Sequence, residues 1–187
     1  MLKNLILKTR SYRRFHQNES ISRETLTELV DLARLSGSAR NAQPLKYYLS
    51  NTTQTNEQIF SHLAWAAFLK DWDGPEAGER PAAYIVVVLD TRVASNYFCD
   101  DGIASQSILL GAAEKGLGGC IIGSVDRFPL QKELQLPEYF KIIHVIALGK
   151  PKEEVVLEPM KDDNYRYWRD EKGVHHVPKR DLNEIII

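Results

Sequence analysis

The chain is short of the features that make a sequence easy to read. Its 187 residues include two cysteines, Cys99 and Cys120, with no CxxC pair and no histidine at ligand spacing. That argues against a disulfide framework and against a zinc motif. Charge of one sign is missing too. Lys plus Arg number 24 and Asp plus Glu 25, a formal net charge of -1, so the basic excess of a nucleic-acid binder is absent and no such partner is expected. The longest apolar runs, Ala83–Leu89 and Ile142–Leu148, fall far below the roughly 18 residues that cross a bilayer. The opening MLKNLILKTR lacks the apolar core and cleavage site of a secretion signal. A cytoplasmic protein without membrane contact is the expectation. GxSxG, HExxH and the Walker loop do not occur, which leaves common hydrolase and nucleotide-triphosphate chemistry unsupported.

What is present is an ordinary globular composition: 43% hydrophobic, 26% charged, mean hydropathy -0.33. One domain spanning 1–187 fits that length. Leu2, Leu5 and Ile6 predict a short first helix. Ser22 caps a second, whose stripe is Leu26, Leu29, Val30 and Ala33 and which stops at Ser36-Gly37. Lys46–Ser50 reads as a strand and Ile59–Ala67 as a helical stripe. Ala83–Leu89, Gly119–Ile122 and Ile142–Leu148 read as buried strands, and Gly102–Lys115 as a helix whose small residues admit a close neighbour. Pro151–Lys179 reads as irregular. The terminal Ile185-Ile186-Ile187 is too apolar to dangle and calls for a sheet in this chain or in a partner. These elements make an α+β (α/β layered) domain with a central mixed sheet of four to five strands flanked by helices.

Four segments carry candidate chemistry. Lys8–Phe15 packs four cations and Ser11 together without an acid, and guanidinium forks suit phosphate. The same cations would also suit a helix C-terminus. Ser36–Pro44 joins small residues with the Asn41 and Gln43 amides, a composition that serves a ligand-facing loop or a plain helix cap equally. Gly116–Gly123 is not a dinucleotide fingerprint, because position 121 is Ile and the stretch opens a strand instead of a helix. Gly116 and Gly118 suit a helix cap, and Gly123 leaves room for a flat ligand. Lys179-Arg180 places two cations near the C-terminus. His175 and His176 are adjacent and, on an extended chain, point apart, so no metal site is expected.

In this order and spacing the segments resemble the nitroreductase family of flavin mononucleotide (FMN) oxidoreductases. Arg10-Ser11-Tyr12-Arg13-Arg14-Phe15 is similar to its Arg-Ser-x-Arg-x-Phe element, and Gly37–Pro44 to its Pro-Ser-x-x-Asn-x-Gln-Pro loop, with Gly in place of the first Pro. Asp101–Gln106 through Gly116-Leu117-Gly118, Gly123, and the Leu148-Gly149-Lys150-Pro151 turn follow in register. The resemblance implies a nitroreductase-like fold, a homodimer with its C-terminal strand exchanged, the small-residue helix at the centre of the interface, and a flavin site shared by two subunits. It implies that Arg10, Ser11 and Arg13 or Arg14 hold the phosphate and ribityl chain together with Lys179 and Arg180. Ser38, Ala39, Arg40, Asn41 and Gln43 would lie near the ribityl chain or the ring. The backbone at Ile122-Gly123 would face flavin N5. The implied activity is ping-pong hydride transfer from NADH or NADPH, through FMN, to a nitroaromatic, quinone or similar small acceptor, with no catalytic side chain required. A specialised flavoenzyme (dehalogenase-like or dehydrogenase-like) and a non-enzymatic flavin-binding or sensing protein remain as alternatives, since Thr52–Arg80 carries few landmarks on the substrate side.

Overall fold

The computed structural model describes residues 2–187. Helix α1 (Leu2–Lys8) is followed by α2 (Arg23–Arg34), capped by the Ser22 hydroxyl accepting from the Thr25 N–H. After a single 3-10 turn (Ala39–Asn41) come β1 (Leu45–Ser50), α3 (Thr53–Phe60), β2 (Ala83–Asp90), α4 (Asp100–Glu114), β3 (Gly118–Ile122), α5 (Arg127–Glu133) and β4 (Phe140–Gly149). The chain closes with β5 (Val155–Pro159), β6 (Trp168–Arg169), β7 (His175–Lys179) and α6 (Leu182–Ile185).

The central sheet has four strands in the order β1-β2-β4-β3. All its pairings are antiparallel, so the expected mixed sheet is corrected. β2 is buried at every position, because both faces of the sheet are covered. Its alternation sorts side chains between two cores. Ile85 and Val87 face Leu26, Leu29, Ile108 and Ala112 of α2 and α4. Tyr84, Val86 and Val88 face Ile59, Trp65 and Leu130 on the other side.

Several expectations are revised. Pro151–Lys179 is not irregular: β5 runs parallel to β7, and β6 antiparallel to it, in a second sheet. The stripe Ile59–Ala67 is helical only to Phe60, since Leu63 bridges to Val125 and the Ala64 N–H donates to the Ser124 carbonyl. One small residue of α4, Gly111, serves a neighbour within the chain. A Cβ on Gly111 would collide with Leu32 Cδ1 of α2. Gly116, with φ +72, ends the helix as expected, whereas Gly118 starts β3 with Tyr12 and Pro151 against it. The C-terminal tail adds no strand to a sheet of this chain. Leu182–Ile185 forms a helical turn with a capping box from Asp181 and Glu184, and Ile185–Ile187 stand exposed.

Candidate functional site

The basic segment after α1 is pinned as an extended strip along the edge of the central sheet. Ser11 bridges in parallel to Gly119, the Tyr12 N–H donates to the Gly119 carbonyl (3.0 Å), and Phe15 bridges to Pro151. A Cβ on Gly149 would collide with the Phe15 ring, so Gly at 149 lets the buried Phe15 anchor the strip. The carboxylate of Glu153 holds it from below. One oxygen accepts the backbone N–H groups of Arg13 and Arg14, and the other takes Arg169 Nη2 at 3.0 Å.

This strip lines a cavity of about 320 Å³ with Arg10, Ser11 and Arg13 on one side and Lys179 from β7 on the other. Gln106, Ile121, Tyr167 and His175 complete much of the wall. Cations from opposite ends of the chain therefore converge without an acid among the lining residues, and the cavity is cationic. Arg13 is held in place: Nη1 donates to the Ser11 carbonyl and to His175 Nε2 (3.2 Å each), and the guanidinium lies 4.7 Å from the Tyr167 ring centroid. His175 is 1% exposed. Burial, then the neighbouring Arg13 and Arg169, lower its pKa to about 4, so it accepts from Arg13 as a neutral ring. Arg10 Nη2 donates to the Ile6 carbonyl, while its shielded Nε has no partner in the chain.

Two of the candidate cations stand elsewhere. Arg14 turns away to Glu79 through Nε and Nη2, which with Lys152 holds the Glu79 carboxyl down at about 2. Arg180 pairs with Asp163 (2.6 Å) and Glu184 (3.1 Å) and does not line the cavity.

The second cluster is the loop after α2. Asp100, buried at the start of α4, accepts from the Ser38 hydroxyl (2.6 Å) and the Ala39 N–H (2.8 Å), and Ser38 in turn accepts from the Gln43 N–H. Fixed this way, Arg40, Asn41 and Gln43 take φ of 55, 52 and 50, a left-handed conformation that non-glycine residues avoid. Three in four residues is strain of the kind that collects at binding sites. Their exposed side chains flank a cavity of about 280 Å³ lined by Ser38, Gln43, Tyr47, Asp100 and Ala104 among others. No residue lines both cavities, so the two are separate in one chain. Of the remaining candidates, Ile122 is buried and Gly123 exposed, with open space where a Cβ would stand.

Sequence reasoning missed Asp100, Gln106, Glu153, Tyr167 and His175. The density of aromatic and histidine residues between 165 and 176 was the available signal. Phe68 packs its ring 5.0 Å from Tyr167 and 5.8 Å from Tyr165, so the landmark-poor 52–80 region does reach the cationic cavity's wall. A Ser105–His144–Asp101 line also exists, with 2.8 Å from Ser105 Oγ to His144 Nε2 and 3.7 Å from His144 Nδ1 to Asp101 Oδ2. Ser105 is fully buried, so this hydroxyl meets its histidine and no substrate. Among the described residues there is no group of three or more metal-ligating side chains, and no helix long and apolar enough to cross a membrane.

The chain is thus an α+β layered domain with a cationic cavity beside its central sheet and a strained polar loop tied to the start of α4. The family is identified by comparison. A model described as the nitroreductase family matches residues 6–150, and the chain belongs to that family, which is one of oxidoreductases. YodC of Bacillus subtilis, which bears the name of an NAD(P)H nitroreductase, is 26% identical over 78% of this chain and 87% of its own. An oxygen-insensitive NADPH nitroreductase of Helicobacter acinonychis is 27% identical over 87% of this chain and 93% of its own. The fold is shared with a nitroreductase family protein of Streptococcus pneumoniae, at TM-score 0.74 and 16% identity over 100% of this chain and 99% of that one. It is shared also with an FMN-dependent nitroreductase of Clostridium difficile, at TM-score 0.63 and 21% identity over 88% and 96%.

Proposed function

We propose that the protein is an FMN-dependent NAD(P)H oxidoreductase, a cytoplasmic homodimer in which residues 1–187 form a single domain, that reduces nitroaromatics, quinones or similar small acceptors. The observation that carries this reading is the cavity in which Arg10, Ser11 and Arg13 meet Lys179. Its donors fit a terminal phosphate: two guanidinium forks, an ammonium and a hydroxyl, with Arg10 Nε still unpartnered. Arg14 and Arg180, already paired with carboxylates, contribute at most to the surrounding field.

When bound, FMN supplies the two-electron chemistry by which a nicotinamide's hydride reaches the acceptor. The chain's part is to bind and orient. Arg10, Arg13 and Lys179 would hold the phosphate, and Glu153 and His175 keep Arg13 aimed at it. The strained loop Ser38–Gln43 would reach a flavin held mainly by the partner, which accounts for two separate cavities in one chain. Exposed Ile121 on the wall of the first cavity, Ile103 on α4, and Ile185–Ile187 at the tail give such an assembly apolar surface to cover.

Binding of FMN and of riboflavin to variants tests this. Arg10→Ala should weaken FMN by about 1.5–3 kcal/mol, the scale of a charge-assisted hydrogen bond, and riboflavin far less. Arg180→Ala should leave FMN affinity close to the parent's, because its guanidinium serves an exposed ion pair. Equal losses of both ligands on Arg10→Ala, or a purified protein that takes up neither, would overturn the assignment.

A further inference from the structure

A third cavity, of about 110 Å³, opens where the loop before α2, the start of α3 and the residues leading into β2 come together. It shares no lining residue with the other two. Gln17, Asn51, Asn56, Glu57, Arg80 and Tyr84 supply its polar and charged lining of interest. The amides are committed to the framework. Gln17 Oε1 accepts the N–H groups of Gly78 and Arg80, Asn51 Nδ2 donates to the Ile21 carbonyl, and Asn56 accepts from Ser50 Oγ while donating to the Ala82 carbonyl.

Two donors are left over. Tyr84 is 1% exposed and its hydroxyl has no partner in the chain. The Nε of Arg80 is likewise shielded and unpartnered. Arg80 enters no ion pair among the described residues, unlike Arg14, Arg34, Arg92, Arg169 and Arg180. Its guanidinium lies 4.2 Å from the Phe60 ring centroid, which fixes the plane of the fork. A shielded hydroxyl and a half-buried cation without acceptors are costly to keep, and an acceptor standing in the adjoining cavity would satisfy both.

We propose that this cavity binds a small monocarboxylate, of formate to pyruvate size, between the Arg80 guanidinium and the Tyr84 hydroxyl. A planar fork matches a carboxylate with two parallel hydrogen bonds. At about 110 Å³ the cavity suits a ligand of a few heavy atoms. Glu57 on its wall raises the cost of any anion there, and of a dianion most, which limits the ligand to a single charge. The site rests on residues the flavin reading does not use, so the two stand or fall separately.

Thermal unfolding of the purified full-length chain in sodium acetate, against sodium chloride at equal ionic strength, tests the site. Acetate should raise the Tm saturably where chloride does not. Tyr84→Phe and Arg80→Lys should each raise the acetate concentration for half-saturation about tenfold or more. Without acetate, Tyr84→Phe should match or exceed the parent's Tm, because it removes an unpaired hydroxyl and leaves the ring. Arg10→Ala should leave the acetate effect intact, which separates this cavity from the larger cationic one. No difference between acetate and chloride would mean that the cavity holds water only. Either that result, or an acetate effect undiminished in Tyr84→Phe, overturns the proposal.

Discussion

The two sheets of the molecule are built on opposite principles. In the central sheet, β2 is buried end to end and β4 nearly so, between two apolar layers. In the second sheet the strands are half exposed, and polar contacts tie them together. Trp168 stacks on His176 with ring centroids 4.0 Å apart, Glu158 accepts from Trp168 Nε1, and Arg169 reaches Glu153. The cationic cavity lies along the line between the two, with Ile121 from the first and His175 and Lys179 from the second. Apolar burial is concentrated in the first layer and polar side-chain contacts in the second, with the cationic cavity on the line between them, so the second sheet can open locally without unfolding the first.

Breaking the first layer should have the largest effect. Ile146 is fully buried and pairs across β4 with Ile85 on one side and Ile121 on the other. Ile146→Ala should cost about 2–5 kcal/mol of global stability, from lost burial plus the cavity left behind. Urea unfolding measures it. A loss under about 1 kcal/mol would mean that the central sheet is not where stability resides.

A smaller effect, and one with a pH signature, belongs to the second layer. His175 is kept neutral in the folded protein down to about pH 4, chiefly by burial, from an ordinary value of 6.5. As pH falls, the unfolded chain takes the proton first. Its contribution to stability is therefore whole above about pH 6.5 and is lost progressively between 6.5 and 4, up to on the order of 2–3 kcal/mol. His175→Gln, which keeps an acceptor for Arg13, should flatten the fall in denaturation midpoint across that window. A parental slope in the variant would assign the pH dependence to other groups.

The same division decides what the sequence reveals. β2, β4 and α4 are legible because burial on both faces leaves unbroken apolar runs, and Gly111 announces a close helix contact though not whose. The second sheet is illegible because its strands are polar and short, and β5 pairs with β7 across a long excursion that no local pattern encodes. Arg10, Arg13 and Lys179 are visible as cations, but Arg14 and Arg180 look identical until Glu79, Asp163 and Glu184 are in place. The strained Arg40-Asn41-Gln43 loop has no glycine to mark its left-handed backbone. Its restraint, Asp100, is far away in sequence and reads as nothing more than the acidic start of a helix.

The comparison sharpens at Trp168, where the smallest effect is expected. This side chain is 44% exposed, so its removal leaves little enclosed cavity. What Trp168→Ala deletes is the stack on His176 and the hydrogen bond to Glu158, together about 0.5–1.5 kcal/mol of local pairing. If the two sheets open independently, that loss belongs to the second sheet alone. Backbone amides of β6 and β7 should then exchange with solvent several-fold faster, while those of β2 and β4 keep the parental rates that global unfolding sets. FMN affinity should fall less than on Arg10→Ala, since Lys179 and His175 lie on β7 and loosen without being removed. Faster exchange at Val86 or Val145 in the Trp168→Ala protein would show that the two layers unfold as one unit, and the local opening of the second sheet would be refuted.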